Sequence, residues 1–231
     1  MTTSVAAIDL LCALSRPPLS ICLCPSCHTH THSLSVSLSL CLSLSLCLSV
    51  SLARAAPVLV VCPKSVVSTW EAEFDKWGYF CVASYHGPKR SAVLERLMAP
   101  GCDLEVVVTT YTIFRKDLDS LNDVRWLLIV ADEAHVLRSP RTAITRALKA
   151  IHTKHRIALT GTAMANSFKE LWCLLDWAWP GVLGTAAGFE RRFGAPIKCA
   201  QAMTATLEEI ELGHQRQQEL IRKMQPFFLR R

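Results

Sequence analysis

The chain has 231 residues, 51% of them apolar and 19% charged, which is the balance of a folded domain, or of a domain with a tail, rather than of a fibrous or disordered chain. A formal net charge of +6 permits contact with nucleic acid without demanding it. Six of the eleven cysteines fall before Pro57, and the other five stand singly at unrelated spacings, which argues for reduced packing cysteine and against a disulfide framework.

The first part, Met1 to Ala56, carries only Asp9, Arg16 and Arg54 as formal charges. Its core is a Ser/Leu alternation from Ser33 to Leu52, preceded by His28-Thr29-His30-Thr31-His32. A repeated CA dinucleotide reads as His-Thr and a repeated CT dinucleotide as Ser-Leu, so the stretch reads as translated microsatellite from an intron included in a gene model. Ser33 to Ala53 has the length of a membrane span, but every second residue is polar, which argues against membrane insertion. No basic region precedes the first apolar run, as a signal peptide requires. Cys22, Cys24, Cys27 and His28 are plausible ligand types, yet no second pair stands at a finger-like distance. We expect this segment to be a poorly ordered, low-complexity tail that adds no stability.

From Pro57 onward there are 23 Lys/Arg against 18 Asp/Glu, and strands alternate with helices. Val58 to Val61 is a short apolar run closed by Pro63, the pattern of a buried strand. Ser65 is placed to cap the next helix, in which Val66, Val67, Trp70, Phe74 and Trp77 share a face and which Gly78 ends. A second strand, about Phe80 to Tyr85, leads through His86-Gly87-Pro88 into an amphipathic helix ending near Met98. Leu104 to Thr109 reads as the third strand, with a helix from about Tyr111. Trp126 to Ala131 is the fourth and Arg156 to Leu159 the fifth, with a helix from about Arg141 to Ile151 between them. This alternation predicts an α/β fold, a parallel sheet with helices on both faces, whose functional groups lie beyond the carboxyl ends of the strands. Trp70, Trp77, Trp172, Trp177 and Trp179 stand at helical spacing or beside Pro180 and read as core rather than as base-stacking platforms.

Two motifs fall at those strand ends. Asp132-Glu133-Ala134-His135 follows the apolar run Leu127 to Val130. Adjacent carboxylates there suit nucleotide hydrolysis, the first holding magnesium and the second polarising the attacking water. Leu159-Thr160-Gly161-Thr162 follows the next strand, in the manner of turns that link a nucleotide site to bound nucleic acid.

Taken with their neighbours, these residues resemble the Swi/Snf-type ATPases of helicase superfamily two, over nearly all of Pro57 to Arg231. Val58 to Trp77 is similar to the motif Ia block, Val107 to Tyr111 to motif Ib, Asp132 to His135 to the DEAH box of motif II, and Ile157 to Asn166 to motif III. Phe189 to Ile197 and the closing Pro226 to Arg231 are similar to the segment that ends the first lobe. Glu170 to Gly184, with His214 to Arg231, is more similar to the excision-repair, Cockayne-syndrome-B-like branch than to nucleosome remodellers. The resemblance implies a RecA-like first lobe over residues 57–231, ATP and magnesium as cofactors, sequence-nonspecific DNA as partner, a nuclear location and work in DNA repair or chromatin remodelling. It implies Asp132 as magnesium ligand, Glu133 as catalytic carboxylate, and His135, Thr160, Gly161 and Thr162 as coupling residues. Lys64, Ser65, Thr109 and Thr110 would touch the sugar-phosphate backbone, which carries no sequence information.

The departures bear on activity. A phosphate cradle of the form G-x-x-x-x-G-K-[ST] is absent, since none of the nine glycines precedes Lys. In the family that loop lies upstream of motif Ia, where the Ser/Leu repeat stands here, and a second lobe with arginine fingers follows the closing Leu-Arg-Arg. Ala163, Met164 and Ala165 stand where the family usually has Pro, Ile and Gln. The expectation is a fragment of a translocase, inactive alone; the alternative is a nonenzymatic fragment that binds DNA or a partner through the motif Ia and Ib surface.

Overall fold

A computed structural model describes residues 56–77, 80–153, 155–161 and 167–227. The Ser/Leu tail, Gly78 as the end of the first helix, Thr162 to Asn166 and the closing Phe228 to Arg231 lie outside the described residues.

Five strands form one parallel sheet: β1 (Val58–Cys62), β2 (Val82–Tyr85), β3 (Val106–Thr110), β4 (Leu128–Ala131) and β5 (His155–Ala158), in the order β2-β3-β1-β4-β5. Each expected strand is present within a residue or two of its expected bounds. The central strand explains the order. All five residues of β1 are buried, so the strand has no face for water and belongs between neighbours, with helices on both sides. Its residues point alternately to two cores. Leu59 and Val61 join Val107, Ile129 and Phe114 on one face, while Val58, Val60 and Cys62 join Val106, Val130 and Ile157 on the other.

Helix α1 (Val67–Trp77) covers the second face through Val67 and Phe74. The first face is covered through Leu97 of α2 (Arg90–Met98), Phe114 of α3 (Tyr111–Lys116), Leu121 of α4 (Leu118–Asn122), Leu148 of α5 (Ala143–Ala150) and Trp177 of α6 (Phe168–Ala178). Helix α6 is buried on two sides. Its Leu171, Trp172, Cys173 and Leu175 face a third cluster with Phe189, Phe193, Ile197 and Leu220. That cluster is built by α7 (Ala186–Phe189), a π-helical turn (Glu190–Gly194), α8 (Ala195–Ala200) and α9 (Leu207–Met224). Thr206 and Glu209 form a reciprocal capping box at the start of α9. Gly213 lets α9 approach α8 closely, since a Cβ there would fall 2.2 Å from that of Ala200.

Two local expectations are corrected. Ser65 does not stand at the start of the first helix, because it lies inside a 3-10 turn over Lys64–Val66 that precedes Val67. Trp177 is fully buried and Trp172 nearly so, but Trp179 is 39% exposed and stacks on Phe227 with ring centroids 4.6 Å apart. It ends α6 beside Pro180, where the chain leaves the core. Among the described residues no helix is long and apolar enough to cross a membrane.

Candidate nucleotide and DNA site at the carboxyl edge of the sheet

Because all strands run the same way, their carboxyl ends open on one edge. There β1 leads into the Lys64–Val66 turn, β3 into Thr110-Tyr111, β4 into Asp132–His135 and β5 into Leu159-Thr160. Backbone bonds lock these turns together. Asp132 N–H donates to the Val61 carbonyl at 2.8 Å, Leu159 N–H to that of Ala131 at 2.8 Å, and Ala134 N–H to that of Leu159 at 2.7 Å. The carboxylate turn and Thr160 are thus neighbours on adjacent strands.

Asp132 is held from three directions. The Trp70 indole N–H donates to Oδ2 at 2.8 Å, the Glu133 N–H to Oδ1 at 2.8 Å, and the Tyr111 hydroxyl to the Asp132 carbonyl at 2.6 Å. Burial raises its carboxyl above the usual range, and the Trp70 and Glu133 bonds only partly offset this. Burial likewise holds the Tyr111 phenol well above its ordinary value, so at neutral pH it is a donor. Cys62, at the end of β1, is pushed up to about 12, by burial first and by the Asp132 charge second.

Glu133 is the one non-glycine residue with positive φ among the described residues, at 49°. That conformation costs on the order of 1 kcal/mol and persists where the surroundings over-determine it. Here its own N–H is held by Asp132 and its Oε2 lies 3.0 Å from His135 Nδ1. From this strained turn the second carboxylate meets His135. Thr160 is half-buried and Gly161 exposed at the end of β5, whereas Thr162 lies outside the described residues.

The four DNA-facing candidates divide. Lys64 and Ser65 are exposed on their turn. Thr109 is fully buried, and its hydroxyl donates to the Tyr85 carbonyl at 2.9 Å. Thr110 is 8% exposed and caps α3 by accepting from the Ile113 N–H. The side chain of Thr109 therefore does not reach the surface from which DNA contact was expected; β3 is flanked by strands on both sides, and its hydroxyl serves the sheet. Two residues at the site escaped the sequence reading, Trp70 and Tyr111, because their partner is 62 and 21 positions away. The one signal for Trp70 was an indole N–H on a helix face bound for burial, which needs an acceptor. An open cleft lined by Leu97, Cys102, Trp126, Ile151 and Arg156 lies at the opposite end of the sheet and takes in none of these residues.

A parallel sheet with paired carboxylates at the end of a buried strand, next to a Thr-Gly turn, defines a RecA-like ATPase lobe. The chain belongs to the SNF2 family: the SNF2-related domain matches residues 15–231. It is 43% identical over 173 residues to the mouse DNA excision repair protein ERCC-6-like 2, covering 75% of this chain and 11% of that protein. It is 39% identical to Switch 2 of Arabidopsis thaliana over 76% of this chain and 20% of that protein. It is 37% identical to the rice DNA repair and recombination protein RAD54 over 75% of this chain and 18% of that protein. Among solved structures, the Sulfolobus solfataricus SWI2/SNF2 ATPase core in complex with dsDNA matches with a TM-score of 0.63 and 31% identity, covering 84% of this chain and 36% of that one. The Swi/Snf-type resemblance, with its excision-repair-like branch, and the RecA-like fold both hold. The chain spans between about a tenth and a fifth of the length of the curated relatives named here.

Proposed function

We propose that residues 57–231 form the first lobe of a Swi/Snf-type, ATP-dependent DNA translocase working in the nucleus, in DNA repair or on chromatin, and that this chain alone binds duplex DNA without hydrolysing ATP. One observation carries the reading. The Asp132-Glu133 turn, Thr160 and the exposed Lys64-Ser65 turn leave the same edge of one sheet, so a group at the carboxylates and a phosphate backbone at the turn would share a rigid frame.

The SNF2 ATPase family depends on ATP and magnesium. The residues of this chain fit that pair only in part. Asp132 keeps lone pairs free beyond its two bonds and would be the magnesium ligand of an intact motor, with Glu133 as its catalytic carboxylate and His135, Thr160, Gly161 and Thr162 coupling them to DNA. None of the nine glycines precedes Lys, so no backbone cradle and lysine hold the phosphates. Among the described residues no group of three or more His, Cys, Asp or Glu side chains stands ready to hold a metal. A carboxylate acts on phosphates already positioned, and positioning is most of the catalysis in phosphoryl transfer. The chain by itself does not make the nucleotide site.

What its own residues do is bind and orient. Lys64 and Ser65 reach phosphates without reading bases. Thr109 and Thr110 brace that edge from within, and His135 holds Glu133 in place. The absent cradle equally favours a nonenzymatic DNA- or partner-binding role for the isolated chain. The test is ATP turnover with and without duplex DNA, beside Glu133→Gln, together with anisotropy of a labelled duplex at rising salt. We expect no DNA-stimulated turnover, and binding that weakens as salt rises. Turnover requiring both DNA and Glu133 would overturn the first half of the proposal, and absence of binding at low salt the second.

A further inference from the structure

We infer that Trp70 is a positioning residue, whose indole N–H links the DNA-facing turn to the Asp132 carboxylate within this one lobe. The inference rests on the reading of Lys64 and Ser65 as DNA contacts. Four observations carry it. The indole N–H stands 2.8 Å from Asp132 Oδ2, in a part-buried setting where a bond to a carboxylate is shielded from water. The residue belongs to α1, which begins directly after the Lys64–Val66 turn, so the turn and the indole ride on one short, stiff element. That element is seated on the core by Val67 and Phe74, and the Trp70 ring lies 5.8 Å from that of Phe74, leaving the indole edge toward β4. Finally, the bonds of Asp132 to Val61, Tyr111 and Glu133 tie it to β1, to α3 and to its own turn, and the bond from Trp70 ties it to α1.

A buried indole needs an acceptor in any case, and a structural bond would satisfy it. The inference goes further, in that force applied at the turn is felt at the carboxylate. A phosphate drawn to Lys64 acts on the first turn of α1, and small displacements there change the length or angle of a bond whose strength falls steeply with both.

The experiment reads the bond directly in the full chain. The six tryptophan indole N–H signals are followed in 1H–15N spectra, and that of Trp70 is assigned by its loss in Trp70→Phe or, should that variant fail to fold, in Trp70→Tyr. Trp177, which donates to the Leu148 carbonyl inside the core, is the internal control. We expect Asp132→Asn to move the Trp70 signal upfield, as a neutral acceptor replaces a charged one. We expect saturating duplex DNA to move it while Trp177 stays still, and Lys64→Ala to abolish that response. Duplex binding by anisotropy with an unmoved Trp70 signal would sink the link alone. A Trp70 signal indifferent to Asp132→Asn would sink the bond itself. Absence of duplex binding would sink the DNA reading and this inference together.

Discussion

Thr109→Val separates the two roles open to this threonine. Val fills nearly the same volume and suits a central strand, so packing is preserved and the change removes one hydroxyl. That hydroxyl donates to the Tyr85 carbonyl at 2.9 Å and is fully buried. Its loss leaves the carbonyl short of a partner in a place water does not reach, at a cost of about 1–2 kcal/mol, against a few tenths returned by strand preference. For a domain of this size the melting temperature should fall by about 2–8 °C. Duplex affinity at fixed salt should stay within about twofold, because the residue has no exposed surface. Lys64→Ala should show the converse, an unchanged melt with weaker binding and a salt slope reduced by about one phosphate contact. The assay is a thermal melt by circular dichroism beside duplex anisotropy at several salt concentrations. A Thr109→Val protein that melts normally but binds DNA tenfold more weakly would refute the reasoning and return the hydroxyl to the DNA surface.

Gly213→Ala would gain about 1 kcal/mol from helix propensity at an open site, but here the new methyl would meet Ala200 Cβ at 2.2 Å, so a lower melting temperature is expected; a rise would show that α9 and α8 can part freely. The Cys62 thiol, raised from its ordinary 9.0 to about 12, should resist alkylation at pH 8 in the folded chain and react once denaturant is added, as read by mass spectrometry of the labelled peptide. The same shift implies a stability effect of definite sign. Between pH 9 and about 12 the unfolded thiol has lost a proton that the folded one keeps, so its contribution is intact below that window and falls as pH rises through it, which denaturant titrations across the window would follow.

Much of this protein was legible in order along the chain. Strands buried on both faces are unbroken apolar runs, and Val58 to Val61 and Leu127 to Val130 announce themselves without any partner being known. The alternation of such runs with helical spacing sets the class, and in parallel sheets that class puts function at the carboxyl ends, which is where Asp132-Glu133 and Thr160 stand. What the sequence could not determine depends on which strands become neighbours. With β1 between β3 and β4, the indole of Trp70 on α1 can reach the turn that follows β4, and only then does it meet a carboxylate 62 residues away. The same order sandwiches β3 between β2 and β1, turning Thr109 from a motif residue at an apparent surface into a buried brace. Trp179 went the other way, since a tryptophan at helical spacing reads as core until the helix ends beneath it. The left-handed turn at Glu133 has no signal in its residue type at all; beside the local Asp132 bond, it is flanked by the Ala134 N–H bond to the Leu159 carbonyl and that of Leu159 to Ala131, which exist only once β4 and β5 are paired. Local pattern is carried by neighbours in the chain, while burial and long-range hydrogen bonds are properties of the packed sheet, and the site is made of both.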